Sequence, residues 1–214
     1  MNHPAVTIIL HEHSALSAML RSILLLLGEH RRHGTMPDFD ALRAMLFYVD
    51  EFPEKLHHPK ESSLLFPKLR GHGAHNDEML DRLDRDHARG EHAIRGLEHA
   101  LLGFEMMGDG DQREQRRATF ETAMHLYVRF YLRHMQIEET EVLPLAEAVL
   151  SADDWAELDA AFLKNRDPLA GFEADVAYQP LFRKIVAALP SDSSVGAALQ
   201  ALAGAGPPKF ESPR

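Results

Sequence analysis

Three histidines of this chain are each followed four residues later by a glutamate: His57 and Glu61, His87 and Glu91, His134 and Glu138. Residues i and i+4 share one face of a helix. A neutral imidazole and a carboxylate one turn apart make a two-toothed clamp for a metal ion. Composition alone predicts roughly one such pair, so the words around the pairs carry the argument. His57-His58-Pro59-Lys60-Glu61 runs on to Leu65-Phe66-Pro67, and His134-Met135-Gln136-Ile137-Glu138 runs on to Val142-Leu143-Pro144. In both phrases the proline stands ten residues after the histidine. Two copies of one clamp on separate helices point to a single site built by duplication.

Hydrophobic periodicity supplies the elements that must carry these groups. Ile9, Leu16, Leu20, Ile23 and Leu27 form a helical stripe that runs from Pro4 to about Glu29. Arg31 to Pro37 reads as a turn, and Asp38 as an N-cap. A second helix follows through Leu42, Met45, Leu46 and Val49. Pro53 and Pro59 should kink or restart it near His57, and it ends near Gly71. A third helix runs from about Asn76 to Met107 on Leu80, Leu83, Ile94, Leu97 and Leu101. The turn Gly108-Asp109-Gly110-Asp111 leads to a fourth, from about Gln112 to Leu150. Ser151 then caps a short helix through Trp155 and Phe162. A further helix spans Leu181 to Leu189, and Pro207 to Arg214 frays. No period-two pattern competes. Short turns make antiparallel neighbours. The expected fold class is therefore all-α. Residues 1–150 form an up-down-up-down antiparallel four-helix bundle, and residues 151–214 an appendage of short C-terminal helices with a frayed tail.

The composition narrows the chemistry. At 214 residues the chain can bury one good core. It has no cysteine, which excludes disulfides, thiolate metal sites and iron–sulfur clusters. A net charge of −10 without a long basic run argues against nucleic-acid binding. The N-terminus lacks the basic and long apolar regions of a secretion signal. The longest apolar run, Ile23 to Leu27, is too short to span a membrane. The expectation is a cytoplasmic protein with no membrane association. The 14 histidines are an excess, and histidine is the commonest nitrogen ligand of metals.

Placed on the expected helices, the candidate metal ligands are His13 on the first, His57 and Glu61 on the second, His87 and Glu91 on the third, and His134 and Glu138 on the fourth. This set exceeds the four ligands of a structural zinc site. It suits two metal ions bridged by Glu61 and Glu138. Mixed nitrogen and oxygen donors fit iron best, with manganese or zinc as the other candidates. His58 could be an extra ligand or a donor that orients one. Glu139 and Glu141 face solvent or orient ligands. His125 faces away. Tyr131, one turn before His134, either packs in the core or hydrogen-bonds an oxygen at the metal.

With the words Leu10-His11-Glu12-His13, His57-His58-Pro59-Lys60-Glu61, Leu65-Phe66-Pro67, Asp86-His87, His134-Met135-Gln136-Ile137-Glu138-Glu139 and Leu143-Pro144, the chain resembles the hemerythrin-like, HHE cation-binding family over about residues 5 to 150. The resemblance implies a bridged non-haem di-iron centre. It also implies ligand roles for His13, His57, Glu61, His87, His134 and Glu138. Oxygen-carrying hemerythrins have a second histidine four residues after the third-helix histidine, where this chain has Glu91. A further carboxylate would favour ferric iron. It would shift the expected function from reversible oxygen carriage towards sensing of oxygen, peroxide or nitric oxide, redox chemistry or iron handling. The leading expectation is thus a di-iron protein that binds dioxygen or a related small ligand. A di-iron oxidase or peroxidase, and a non-redox metal-binding interaction module, are the alternatives. No separate catalytic residue and no protein partner is legible.

Overall fold

The computed structural model describes residues 3–106, 110–172 and 176–188. These are helical with no strand among them. Helix α1 (Pro4–His33) has proline at its N-terminus and ends on Gly34, whose φ of 63° places it in the left-handed region. It runs one turn further than periodicity suggested. Its last turn carries His30, Arg31, Arg32 and His33, and basic groups at a helix C-terminus offset the helix dipole. The Asp38 carboxylate caps the next helix by accepting from the Ala41 N–H at 3.0 Å.

That next rod, α2, spans residues 39–69 as one helical path. It changes pitch from α (Phe39–Val49) to π (Asp50–His57), then α (His58–Lys60), π (Glu61–Leu65) and α again (Phe66–Leu69). Pro53, Pro59 and Pro67 therefore do not break it. A proline has no N–H and crowds the carbonyl four residues back, and the wider π turn relieves both problems. Helix α3 (Ala74–Met106) is uninterrupted. The fourth rod, α4, spans residues 110–149: α over Gly110–Ile137, π over Glu138–Val142, and α over Leu143–Val149. Ser151 and Asp154 then form a reciprocal capping box for α5 (Ala152–Phe162). A 3-10 turn at Pro168–Ala170 leads to α6 (Gln179–Ala188). The expected end of this helix at Leu189 and the expected fraying of Pro207 to Arg214 lie outside the described residues. No described helix is long and apolar enough to cross a membrane.

Helix α3 lies along α4, α1 against α4 and α2, and α2 against α3, while α5 crosses α1 and α6 crosses α2. The core divides into two apolar clusters. One joins Leu16, Leu20 and Ile23 to Leu42 and Met45, Leu97 and Leu101, Phe120 and Met124. The other joins Ile8 and Ile9 to Phe66 and Leu69, Leu80 and Leu83, Val142 and Ala146. On α1, α2 and α3 the histidines of interest fall in sequence between the residues of the two clusters, and on α4 His134 and Glu138 lie where one cluster gives way to the other. The bundle thus carries a polar layer between two apolar ones. Residues after 150 join both clusters, with Trp155, Leu158 and Phe162 in one and Leu169, Phe182 and Ile185 in the other.

The link between α5 and α6 turns a carboxylate inward. Asp167 is buried and accepts from the Tyr48 hydroxyl at 2.7 Å and from the Leu169 N–H at 2.9 Å. Burial pushes its carboxyl up to about 7, and the charge of nearby Glu12 pushes the same way. An aspartate in an unfolded chain titrates at about 4. The contribution of Asp167 to stability is therefore fully present below about pH 4 and is lost as pH rises through about 7. Metal-free Asp167→Asn should lose less stability than the metal-free wild type between about pH 5 and pH 8 in urea denaturation. Equal slopes for the two proteins would show that Asp167 titrates normally.

Candidate metal centre

The polar layer gathers side chains from all four long rods. His13, His57, His58, Glu61, His87, His134 and Glu138 are all buried. Their inner atoms crowd together. His13 Nε2 lies 3.2 Å from His57 Nε2, and His87 Nε2 lies 3.0 Å from His134 Nε2. Glu61 Oε2 is 3.2 Å from His57 Nε2 and 3.5 Å from His87 Nε2. Glu138 Oε2 is 3.3 Å from His13 Nε2, while its Oε1 is 2.9 Å from His134 Nε2 and 3.6 Å from His87 Nε2. Two groups of ligand atoms, each mutually within 4.8 Å, result: His58, Glu61, His87 and His134 in one, and His13, His57 and Glu61 in the other. Glu61 belongs to both, and Glu138 reaches a histidine of each.

The repeated phrase has a backbone counterpart. A π turn starts at each of these glutamates, Glu61–Leu65 and Glu138–Val142. Each is closed by an i to i+5 hydrogen bond, from Phe66 N–H to the Glu61 carbonyl and from Leu143 N–H to the Glu138 carbonyl. The next residue is a proline in both, Pro67 and Pro144. Such single wide turns concentrate at functional sites because they re-aim side chains without ending the helix.

The outer ring nitrogens turn away from the cluster towards acceptors. His57 Nδ1 donates to Glu12 at 2.7 Å, His13 Nδ1 to Glu139 at 3.0 Å, and His58 Nδ1 to Glu54 at 3.1 Å. His87 Nδ1 is 2.8 Å from the Ser62 hydroxyl, and Asp86 lies 3.8 Å from His134 Nδ1. A carboxylate can only accept, so it fixes the proton on Nδ1 and leaves the Nε2 lone pair facing inward. Glu54 is itself held by the Tyr127 and Tyr131 hydroxyls, which donate to its Oε1 at 2.8 and 2.6 Å.

Lone pairs that face one another at about 3 Å repel unless a proton or cation lies between them. The carboxylates make the same demand. Both oxygens of Glu61 and both of Glu138 are buried without a hydrogen-bond partner among the described residues. Such a charge is costly unless paired or bound to a metal. Titration behaviour follows. Burial works against a charged His57, but the charges of Glu61 and Glu12 outweigh it and hold its pKa well above the usual value. His134 is likewise held up at about 10, against burial, by Glu138 and Asp86. Burial opposes ionisation of Glu61 too, yet neighbouring His57 and His87 hold it well below the carboxylate range. Without metal, protons stand in for the cation. His58 is the exception: burial first, then the adjoining imidazoles His87, His57 and His134, keep it well below the usual histidine value. The arrangement fits a cation-binding site, with nitrogen and oxygen donors converging on unsatisfied charge.

The structure does not bring Glu91 into this cluster. Its side chain is 55% exposed and pairs with Arg95 at 2.5 Å. The buried stripe of α3 passes through Leu83, His87, Gly90 and Ile94, so the inward position after His87 is a glycine three residues on. That glycine is required. A Cβ at Gly90 would lie 1.6 Å from the Tyr131 hydroxyl and 2.9 Å from Glu54 Oε1. Tyr131 and Glu54 fill the space that a side chain from this turn of α3 would need. His58, from α2, joins His87 and His134 instead. Tyr131, weighed above as a partner for an oxygen at the metal, donates to Glu54 and stacks on His58 with ring centroids 5.3 Å apart. Glu139 is one of the orienting groups, and His125 lies exposed on the outer face of α4. Glu12, Glu54, Ser62 and Asp86 were not singled out from sequence. Only Glu54, one helical turn before His58, carried a readable signal.

The hemerythrin HHE cation binding domain matches residues 5–146 of the chain. No curated protein matches it.

Removing Glu61 should strip most metal from the protein, and His58→Ala should lower the content too. Glu91→Ala should leave metal content and affinity at the wild-type level. Elemental analysis of the three purified variants checks this. Equal loss from Glu91→Ala and Glu61→Ala would return Glu91 to the ligand set.

Proposed function

The chain belongs to the hemerythrin HHE cation-binding family, and on that footing we propose that it is a non-haem di-iron protein that binds or senses dioxygen, nitric oxide or peroxide. The observation that carries this reading is the set of four buried carboxylate oxygens of Glu61 and Glu138, without a hydrogen-bond partner among the described residues and surrounded by inward imidazole nitrogens. One cation cannot use so many donors. In this reading His13 and His57 would hold one ion and His58, His87 and His134 the other, with Glu61 and Glu138 in reach of both groups. Glu91 is left out. Imidazole with carboxylate, and no thiolate, suits iron above zinc or manganese. When bound, iron supplies one-electron redox change and affinity for small diatomic or peroxide ligands.

The remaining work falls to the chain's own residues. Glu12, Glu54 and Glu139 hold the Nδ1 protons of His57, His58 and His13 and so orient the donor atoms. Phe66 stacks on His87 at 5.5 Å and Phe162 meets His57 edge-on at 5.9 Å; with the flanking apolar clusters they keep bulk water out. The oxidase alternative drew its support from Glu91 as an additional carboxylate. With Glu91 exposed, that support falls away. His58 brings the imidazoles to five, contributing from α2 the nitrogen that oxygen carriers take from the third helix, and this favours ligand binding.

We read the architecture in the same terms. The start of α1 shares a cluster with the end of α2, the start of α3 and the end of α4, which supports an up-down-up-down bundle over residues 1–150. Residues 151–214 are then its appendage, with α5 and α6 packed against the bundle.

Protein expressed with ample iron and oxidised in air should carry about two irons per chain and absorb in the near ultraviolet. Chelation should lower its melting temperature, since a ligand at a thousandfold excess over its Kd adds about 4 kcal/mol to the native state. A reproducible content of one ion per chain would sink the di-iron assignment, and so would zinc alone with no near-ultraviolet band. An unchanged melting curve after verified metal removal would place the ions outside the core.

A further inference from the structure

The family domain ends at residue 146, yet the polar layer receives a hydrogen bond from further along the chain. Asn165 lies in the link after α5 and is only 4% exposed. Its Nδ2 donates to Glu12 Oε2 at 2.9 Å. The same oxygen accepts from His57 Nδ1 at 2.7 Å. Glu12 therefore has one oxygen held between a ring proton of a proposed ligand and an amide of the appendage. Its other oxygen, Oε1, has no hydrogen-bond partner among the described residues, and neither has the Asn165 carbonyl oxygen. The end of its amide that is paired is the one that faces Glu12.

The link is built to keep the amide there. Arg166, between Asn165 and Asp167, has φ of 49°, a left-handed conformation that costs a non-glycine residue roughly 1–2 kcal/mol. Both flanking side chains are buried, and Asp167 is tied to Tyr48 on α2. A small cavity lined by Glu12, His13, Phe52, Pro53, His57 and Asp167 lies on this side of the layer. Strain held by surrounding contacts is a mark of a functional position.

We propose that the appendage is part of the metal centre and that Asn165 is a positioning residue for His57, acting through Glu12. The inference rests on the di-metal reading above. By donating to Glu12, the amide fixes that carboxylate where it can accept the His57 Nδ1 proton. The His57 Nε2 lone pair then stays aimed at the ion shared with His13. Without the amide, Glu12 can turn away and His57 loses its orientation. Outer partners of this kind typically change metal affinity 10- to 100-fold.

The test uses the metal-free full-length chain titrated with cobalt(II), following its visible absorption. Wild type should fill two sites. Asn165→Asp, isosteric but without the amide donor, and Asn165→Ala should weaken one site about tenfold or more and alter its spectrum, leaving the other site as in wild type. In a Glu12→Gln background, either substitution should have little further effect, because both residues act through one contact. Unchanged affinity and spectrum in both Asn165 variants would overturn the proposal. So would equal weakening of both sites with a lowered melting temperature of the metal-free protein, which would make Asn165 a packing residue. Full additivity with Glu12→Gln would also overturn it. Uptake of a single ion by wild type would defeat the di-metal reading instead, and Asn165 would then be judged by the affinity of that ion and by the cycle with Glu12.

Discussion

A buried carboxylate must be compensated, and in this chain two of them, Glu61 and Glu138, meet at the centre of an apolar bundle with no hydrogen-bond partner of their own among the described residues. Removing one partner from a buried charge costs about 3–5 kcal/mol, so the surroundings of these two groups are tightly constrained. Four imidazoles, His13, His57, His87 and His134, answer them directly. Further acceptors, Glu12, Glu54 and Glu139, then set which nitrogen of His57, His58 and His13 faces inward. Every long rod has to present a polar group at one level and apolar groups above and below it, and the split of the core into two clusters follows from that demand.

The backbone meets the demand with wide turns. An ordinary α-helix that carried His57, His58 and Glu61 past Pro53 and Pro59 would lose hydrogen bonds and collide with its own carbonyls. Pro53 sits within a π segment, and Pro59 and Pro67 each open the α segment that follows one. The same device follows Glu138 on α4. The link after α5 is drawn in by the same polar layer, through the contact of Asn165 with Glu12 and of Asp167 with Tyr48.

Much of this was legible in the residues. The stripes of α1 and α3, the cap at Asp38, the capping residue Ser151 and the paired phrases around His57 and His134 depend on local spacing, and local spacing survives folding. The prolines announced a disturbance near His57, but not its form, because a kink, a restart and a π turn share one sequence signature. Glu91 misled for a different reason. Its spacing from His87 was right for a helix face, yet the inward place had already been taken by Tyr131 from another rod, which no local pattern can reveal. Glu12 and Asp86 stand beside one histidine in sequence and serve another in space, Glu12 with His57 and Asp86 with His134. Asn165 lies in a link with no periodicity at all. Most of the groups that converge in the layer were readable, and the groups that turn them depended on which rods lie side by side.

One contact reaches beyond chemistry into inheritance. The hydroxyl of Tyr131 rests where a side chain at Gly90 would have to be. The two positions lie on different helices and neither is a proposed ligand, yet residue 90 cannot enlarge while the phenol is in place. A lineage that enlarged residue 90 would first have to shed the phenol at 131, and with it a donor to Glu54. Change at these positions should therefore travel as a pair. Among relatives of this chain, the joint presence or absence of that glycine and tyrosine would mark which ones build this side of the layer in the same way.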